Sequence, residues 1–294
     1  MSWLASLALS MSAALGQTPA PTEQTPPAPV VMSAPMAYEA PTMPGLFGGA
    51  FGPNFLKGDT DFPRFIYPVS NPVYAKDPRA TTHVRGLYIH NTIDPNNPLG
   101  GGNFDAAAAQ VNVAVNERLT ILADKDGYLW LNPGKAPSSN GFLNIGAGLK
   151  YAFIRDIENQ YIMSGGFMYE IPSGDRSALS GHGDGSFAFF LINGKEFNER
   201  WHLLNTTGYN LPVNGDQNSA FFYTSFHIDY QVSCWLYPLA ELNWFHYTAG
   251  GNRGIAPGLG EGDGLQGLRI KSRPNYSRRL DFVKALTLRF SMHG

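Results

Sequence analysis

A single cysteine, Cys234, in a chain of 294 residues excludes a disulfide framework and any paired-thiol metal site. Charge is scarce too: Asp, Glu, Lys and Arg make up 15% of the chain, against roughly 25% in an ordinary soluble domain, and nearly cancel to −2. Near-neutrality argues against a nucleic-acid partner, which would require a basic face. No stretch of about 18 apolar residues occurs beyond the first residues, so no transmembrane helix is expected. Catalytic signatures are also missing: there is no Walker A loop, no His-Glu-x-x-His and no Gly-x-Ser-x-Gly. Asp124-Lys125-Asp126-Gly127 begins like a calcium loop without the later ligands, and reads as a polar turn. His182, Asp184 and Ser186 are neighbours in one glycine-rich loop, where triad geometry is not expected. The expectation is a protein that is not an enzyme, with no cofactor and no metal.

What the sequence does contain is alternation. In residues 142–155, Leu143, Ile145, Ala147, Leu149, Tyr151 and Phe153 alternate with Asn144, Gly146, Gly148, Lys150 and Ala152. After a turn at Asp156–Asn159 the period-2 pattern resumes through Tyr161, Met163, Gly165, Phe167, Tyr169 and Ile171. Further pairs follow at 186–197 with 200–211 and at 219–233 with 235–248, and earlier segments start near 82, 104 and 119. Leu286, Leu288 and Phe290 suggest one more strand. The hairpin turns are short, whereas the loops between hairpins are long and rich in Gly, Asn and Asp. Such strands exceed the 5–6 residues usual in soluble sheets and suit a tilted membrane strand of about 9–11 or more. In lipid an open sheet edge costs several kcal/mol per unpaired group, so the strands argue for closure. The predicted fold is all-β: an antiparallel up-and-down transmembrane β-barrel of about 10–12 strands.

The ends differ from this body. Trp3–Leu15 is a short apolar run followed by Ala14-Leu15-Gly16, which reads as a secretory signal peptide over residues 1–16 despite the missing basic start. Residues 17–44 hold 8 of the 22 prolines with almost no charge and read as a disordered tether. Residues 45–80, rich in Gly, Phe and Pro, read as an irregular segment, either a strap along the barrel wall or a plug. The barrel is placed at 81–294. Within it 265–294 is atypical, holding seven of the 21 Lys and Arg and ending without an aromatic residue, so the closure of the barrel is left open there.

Several runs carry a family resemblance. They are Asp61-Phe62-Pro63-Arg64-Phe65-Ile66-Tyr67-Pro68-Val69-Ser70-Asn71-Pro72, Gly148-Leu149-Lys150-Tyr151 with Ile154-Arg155-Asp156, and Tyr169-Glu170-Ile171-Pro172-Ser173-Gly174. Gly194-Lys195-Glu196-Phe197, Gly208-Tyr209 and Tyr237-Pro238-Leu239-Ala240-Glu241-Leu242-Asn243 belong with them. The chain resembles outer-membrane barrels of planctomycete bacteria, similar in turn to the barrel family named for the MetA pathway of phenol degradation, whose members are described as transporters. The resemblance spans about residues 60–262 and implies a channel-like barrel with no catalytic residues; Leu265 onward departs from it.

Function should then lie on the polar faces. Gln110, Asn112, Asn116, Lys150, Glu170, Tyr223, His227, Asp229, Glu241 and Asn243 are the candidate pore-lining residues. Lining a wet lumen is preferred to metal binding for His227 and Asp229, which share one strand face. The expected function is a passive channel or transporter for small, hydrophobic or aromatic solutes. The alternative is a structural outer-membrane protein whose lumen is filled by its own side chains. Expected partners are outer-membrane lipid, a small solute and the barrel-assembly machinery.

Overall fold

The computed structural model describes residues 55–93, 95, 99–181, 183–233 and 236–251, together with the backbone of 9–13 and 278–288. The tether, His182, Cys234 and residues 265–277 lie outside the described residues. Twelve strands form one antiparallel sheet: β1 (Leu9–Ala13), β2 (His83–Thr92), β3 (Gly102–Ala114), β4 (Leu119–Pro133), β5 (Ser139–Phe142), β6 (Ile145–Asp156), β7 (Tyr161–Ile171), β8 (Ser186–Phe197), β9 (Trp201–Pro212), β10 (Ala220–Tyr230), β11 (Leu236–Ala249) and β12 (Arg278–Leu288). β5 and β6 occupy successive stretches of the same β4 edge, so eleven positions follow one another in chain order. The sheet curls into a half-barrel. Among the described residues the only helical element is the 3-10 turn Arg176–Ala178, and no helix is long and apolar enough to cross a membrane.

The hairpins form where local chemistry turns the chain. Between β3 and β4 the Asn116 Oδ1 accepts the Arg118 and Leu119 amides at 2.8 Å, a side chain mimicking a turn. Between β6 and β7 Asp156 does the same for the Asn159 amide at 3.0 Å. Asn198 and Glu199 both take left-handed backbone (φ 50° and 57°) between β8 and β9, the twist that suits a hairpin.

Alternation then divides the faces. On β10 Tyr223, Ser225, His227 and Asp229 are buried, while Phe226 and Ile228 are exposed. Two bulges shift the phase. The β6–β7 register slips between Ala152 and Ile154, which leaves Phe153 and Ile154 both exposed and brings Arg155 to the concave side. On β4, Asp124 and Lys125 together face Gln110 of β3; before this bulge even-numbered residues such as Leu122 are buried, after it odd ones such as Leu129 and Leu131. Asp124–Gly127, read from sequence as a polar turn, is therefore the bulged middle of a fifteen-residue strand.

The concave side is filled. Phe62 and Phe65 pack with Ala152, Ile162 and Leu204 toward the short-turn end. Tyr74 packs with Phe190, Phe221, Tyr223, Phe245 and Tyr247 toward the long-loop end, beside a second cluster built on Leu99, Phe104, Leu129 and Leu131. Polar and charged groups lie between these layers.

Candidate functional site

Residues 55–82 run through the interior as an extended strap that enters and leaves at the short-turn end. The Leu56 amide reaches the Val115 carbonyl at 2.8 Å, and Arg155, turned inward by its bulge, holds Asp59 at 3.1 Å, Asp61 at 2.6 Å and Glu117 at 3.1 Å. Phe65 and Arg64 follow, and Tyr74 marks the deepest reach, with its ring 5.5 Å from Phe221 and 4.7 Å from Tyr223. The chain then returns through Lys76 to Arg79 and enters β2.

The strap is fastened to strands around the whole curl. Arg85 of β2 donates to the Pro68 carbonyl at 2.9 Å and Gln110 of β3 to that of Pro72 at 2.7 Å. Lys76 pairs with Asp124 of β4 at 2.7 Å. Lys150 of β6 donates to the carbonyls of Asp77 and Arg79 at 2.5 and 2.7 Å, and Ser164 of β7 donates to that of Pro78. Arg64 meets Glu196 of β8 at 2.8 Å, and Thr206 of β9 accepts the Lys76 amide at 3.0 Å. Glu241 of β11 accepts the Val69 and Ser70 amides at 2.8 and 2.7 Å and the Ser70 hydroxyl as well. Two inner-face glycines make room: a Cβ at Gly194 would lie 2.8 Å from the Pro78 ring, and one at Gly208 would lie 2.4 Å from the Tyr223 ring.

Glu241 also begins a chain of carboxylates and imidazoles along the wall. Its Oε1 lies 2.7 Å from His227 Nδ1, His227 Nε2 lies 2.9 Å from Asp229, and Asp229 lies 2.6 Å from His202 Nδ1. His202 Nε2 then approaches Glu196 at 3.9 Å, too far for a hydrogen bond, and Glu196 holds Arg64. Both ends of the chain thus terminate on the strap. Within the strap itself, Arg79 grips Asp77 at 2.6 Å and donates to the carbonyls of Phe62 and Phe65 at 2.9 and 2.8 Å, tying the return limb to the entry limb. Burial alone would push the Asp77 carboxyl up, yet the Arg79 guanidinium, with Lys150 nearby, holds it below the ordinary carboxylate range. Burial conversely disfavours the Arg79 charge, and Asp77 more than restores it.

Most sequence candidates lie on this interior. Gln110, Asn112, Lys150, Tyr223, His227, Asp229, Glu241 and Asn243 are buried on the concave face; Asn112 contacts His83 at 3.3 Å and Asn243 donates to Ser70 at 2.9 Å. Glu170, half-buried, accepts from Asn144 at 2.8 Å near the long-loop rim. Asn116 sits in the β3–β4 turn. The sequence reading passed over Arg85, Asp124, Glu196, His202 and Thr206. His202 and Thr206 were legible, since they share the alternation phase of buried Leu204 on β9. The strap residues carried no period at all.

The gap bounded by Pro68, Ala75, Thr206, His227, Glu241 and Asn243 has no room for a water molecule. Among the described residues no group of three or more His, Cys, Asp or Glu is placed to hold a metal ion. No family model, curated protein or solved structure matches the chain.

Proposed function

We propose that this protein is an outer-membrane β-barrel whose interior is filled by its own residues 55–82, a wall element closed to solutes as it stands. The observation that carries this reading is the strap's contact with inward side chains of strands from β2 round to β11, with no water-sized gap beside His227 and Glu241. The convex face supports the membrane setting. Leu149, Phe153, Phe167, Phe189, Leu191, Phe226 and Ile228 are all about 40% exposed or more. Soluble monomers rarely show so wide an apolar belt, and acyl chains would cover it. The apolar start of the chain and the resemblance to bacterial outer-membrane barrels favour export to that membrane.

A second reading is supported by the kind of contact that holds the strap. Buried ion pairs stabilise less than apolar groups of equal size, so a permanent filler would be better built from hydrocarbon. Lys76–Asp124, Arg79–Asp77 and the Glu241–His227–Asp229–His202 chain instead make a filler that solvent and a ligand could release. In this reading the barrel carries small solutes once the strap is displaced. Planar-bilayer recording on chain refolded into lipid, with a heat-modifiable gel band as proof of folding, tests both. A folded protein without steady conductance supports the closed wall element; rare, brief openings favour the displaceable strap, and a permanently open pore overturns both.

A further inference from the structure

We propose that Leu9–Ala13 is a temporary cap on the edge of β2, and that its removal lets β2 pair with β12 and close a ten-stranded barrel. The inference rests on the membrane-barrel reading and on residues 1–16 being a cleavable export signal. It begins with direction. Every neighbouring pair in the sheet is antiparallel, and the path from β1 to β12 has eleven positions. With an odd number the two end strands run the same way, so β1 and β12 cannot complete an antiparallel ring. Among the described residues no pairing joins them. Without β1 ten positions remain, and β2 and β12 run in opposite directions, as closure requires.

Length points the same way. β1 pairs only with Val84–Tyr88, so the outer edge of β2 from Ile89 to Thr92 has no partner from it, whereas β12, with eleven residues, matches the ten of β2. Unpaired backbone at membrane depth costs several kcal/mol per group, so the short cap is a poor final neighbour. The strap also draws the seam together from within. Pro68 is held by Arg85 of β2 and the very next residue, Val69, by Glu241 of β11, the strand that already carries β12 on its other edge. Release needs only hydrolysis of the peptide bond after Gly16: water supplies hydroxyl to the Gly16 carbonyl and hydrogen to the Gln17 nitrogen, and the strand leaves with the cut segment.

Cross-linking tests this with the 17–294 and 1–294 chains, both carrying Cys234→Ser. Gly86→Cys places a thiol on β2 where a side chain meets nothing within 4 Å. It is combined in turn with Leu280→Cys, Phe282→Cys or Lys284→Cys, which the register sets opposite Trp244, Leu242 and Ala240 of β11. The expected result is that one of the three pairs oxidises in the heat-modifiable 17–294 chain, giving a mobility shift reversed by reductant. The 1–294 chain should instead link Gly86→Cys to Met11→Cys, its partner across β1–β2. Heat-modifiable 17–294 chain with no β2–β12 link, or equal linking in both chains, overturns the closure proposal alone. A 17–294 chain that never becomes heat-modifiable in detergent or lipid overturns the barrel reading, and closure with it.

Discussion

Replacing Asp77 by Asn would leave the buried Arg79 guanidinium without its counter-charge while it still ties Phe62 and Phe65 to the return limb. Stranding one partner of a buried pair costs about 3–5 kcal/mol, so Asp77→Asn should lower the temperature at which the unboiled, fast-migrating form disappears. The same carboxyl sets an acid limit. Its folded pKa is lowered, so the stability it supplies is complete above its unfolded value of about 3.9 and is lost as pH falls through the folded value. The difference between the wild-type chain and Asp77→Asn in protection of the strap against a protease pulse should therefore stay level from about pH 8 to about pH 4 and shrink only in stronger acid. Glu241 fastens the other limb. Glu241→Gln keeps the shape but weakens the bonds to the Val69 and Ser70 amides and to His227, charged-group hydrogen bonds of about 1.5–3 kcal/mol. The expected outcome is faster cleavage near Ser70 and more frequent conductance openings with the barrel itself still folded.

The register of β6 with β7 decides where Arg155 lies. Deleting Phe153 would leave Ile154 opposite Met163 and Arg155 opposite Ile162, still inward, whereas inserting one alanine between Ile154 and Arg155 would turn Arg155 outward and detach Asp59 and Asp61 from the wall. If the convex face meets lipid as proposed, an outward arginine costs up to about 2–4 kcal/mol at the midplane and the lost ion pairs add to it, so the insertion should reduce the yield of heat-modifiable protein sharply while the deletion leaves it nearly unchanged. At the β8–β9 turn the reverse is expected. Glu199 holds φ of 57° with an ordinary side chain, and Glu199→Gly removes a strain of about 1 kcal/mol, measurable as a higher melting temperature of the band. Strands were the part of this fold most legible in the sequence, because period-2 alternation states both their existence and their buried face: 186–197 is β8 to the residue. The bulges were not legible, since one extra residue changes the phase without any compositional mark, which is how Asp124 passed for a turn and why nothing marked Arg155 as an inward residue. The strap was visible only as an aperiodic stretch, as its conformation is set by contacts with strands far along the chain, such as Lys76 with Asp124 and Ser70 with Glu241.

A curled sheet with an apolar convex face and a polar, ion-paired interior inverts the usual order of a soluble domain, and the strap is what makes the inverted interior dense. Polar wall residues that would otherwise need water find partners on 55–82: Lys150 on two carbonyls, Gln110 on a third, Glu241 on two amides. The most direct test joins strap to wall. Ser70→Cys with Asn243→Cys, in a chain lacking Cys234, should form a direct disulfide when the protein is refolded under oxidising conditions, because the two side chains meet at 2.9 Å. Near-complete linking that leaves the fast-migrating form intact is the predicted result. A folded barrel in which the two positions fail to link would mean that residues 55–82 lie elsewhere and that the lumen is not filled by its own chain.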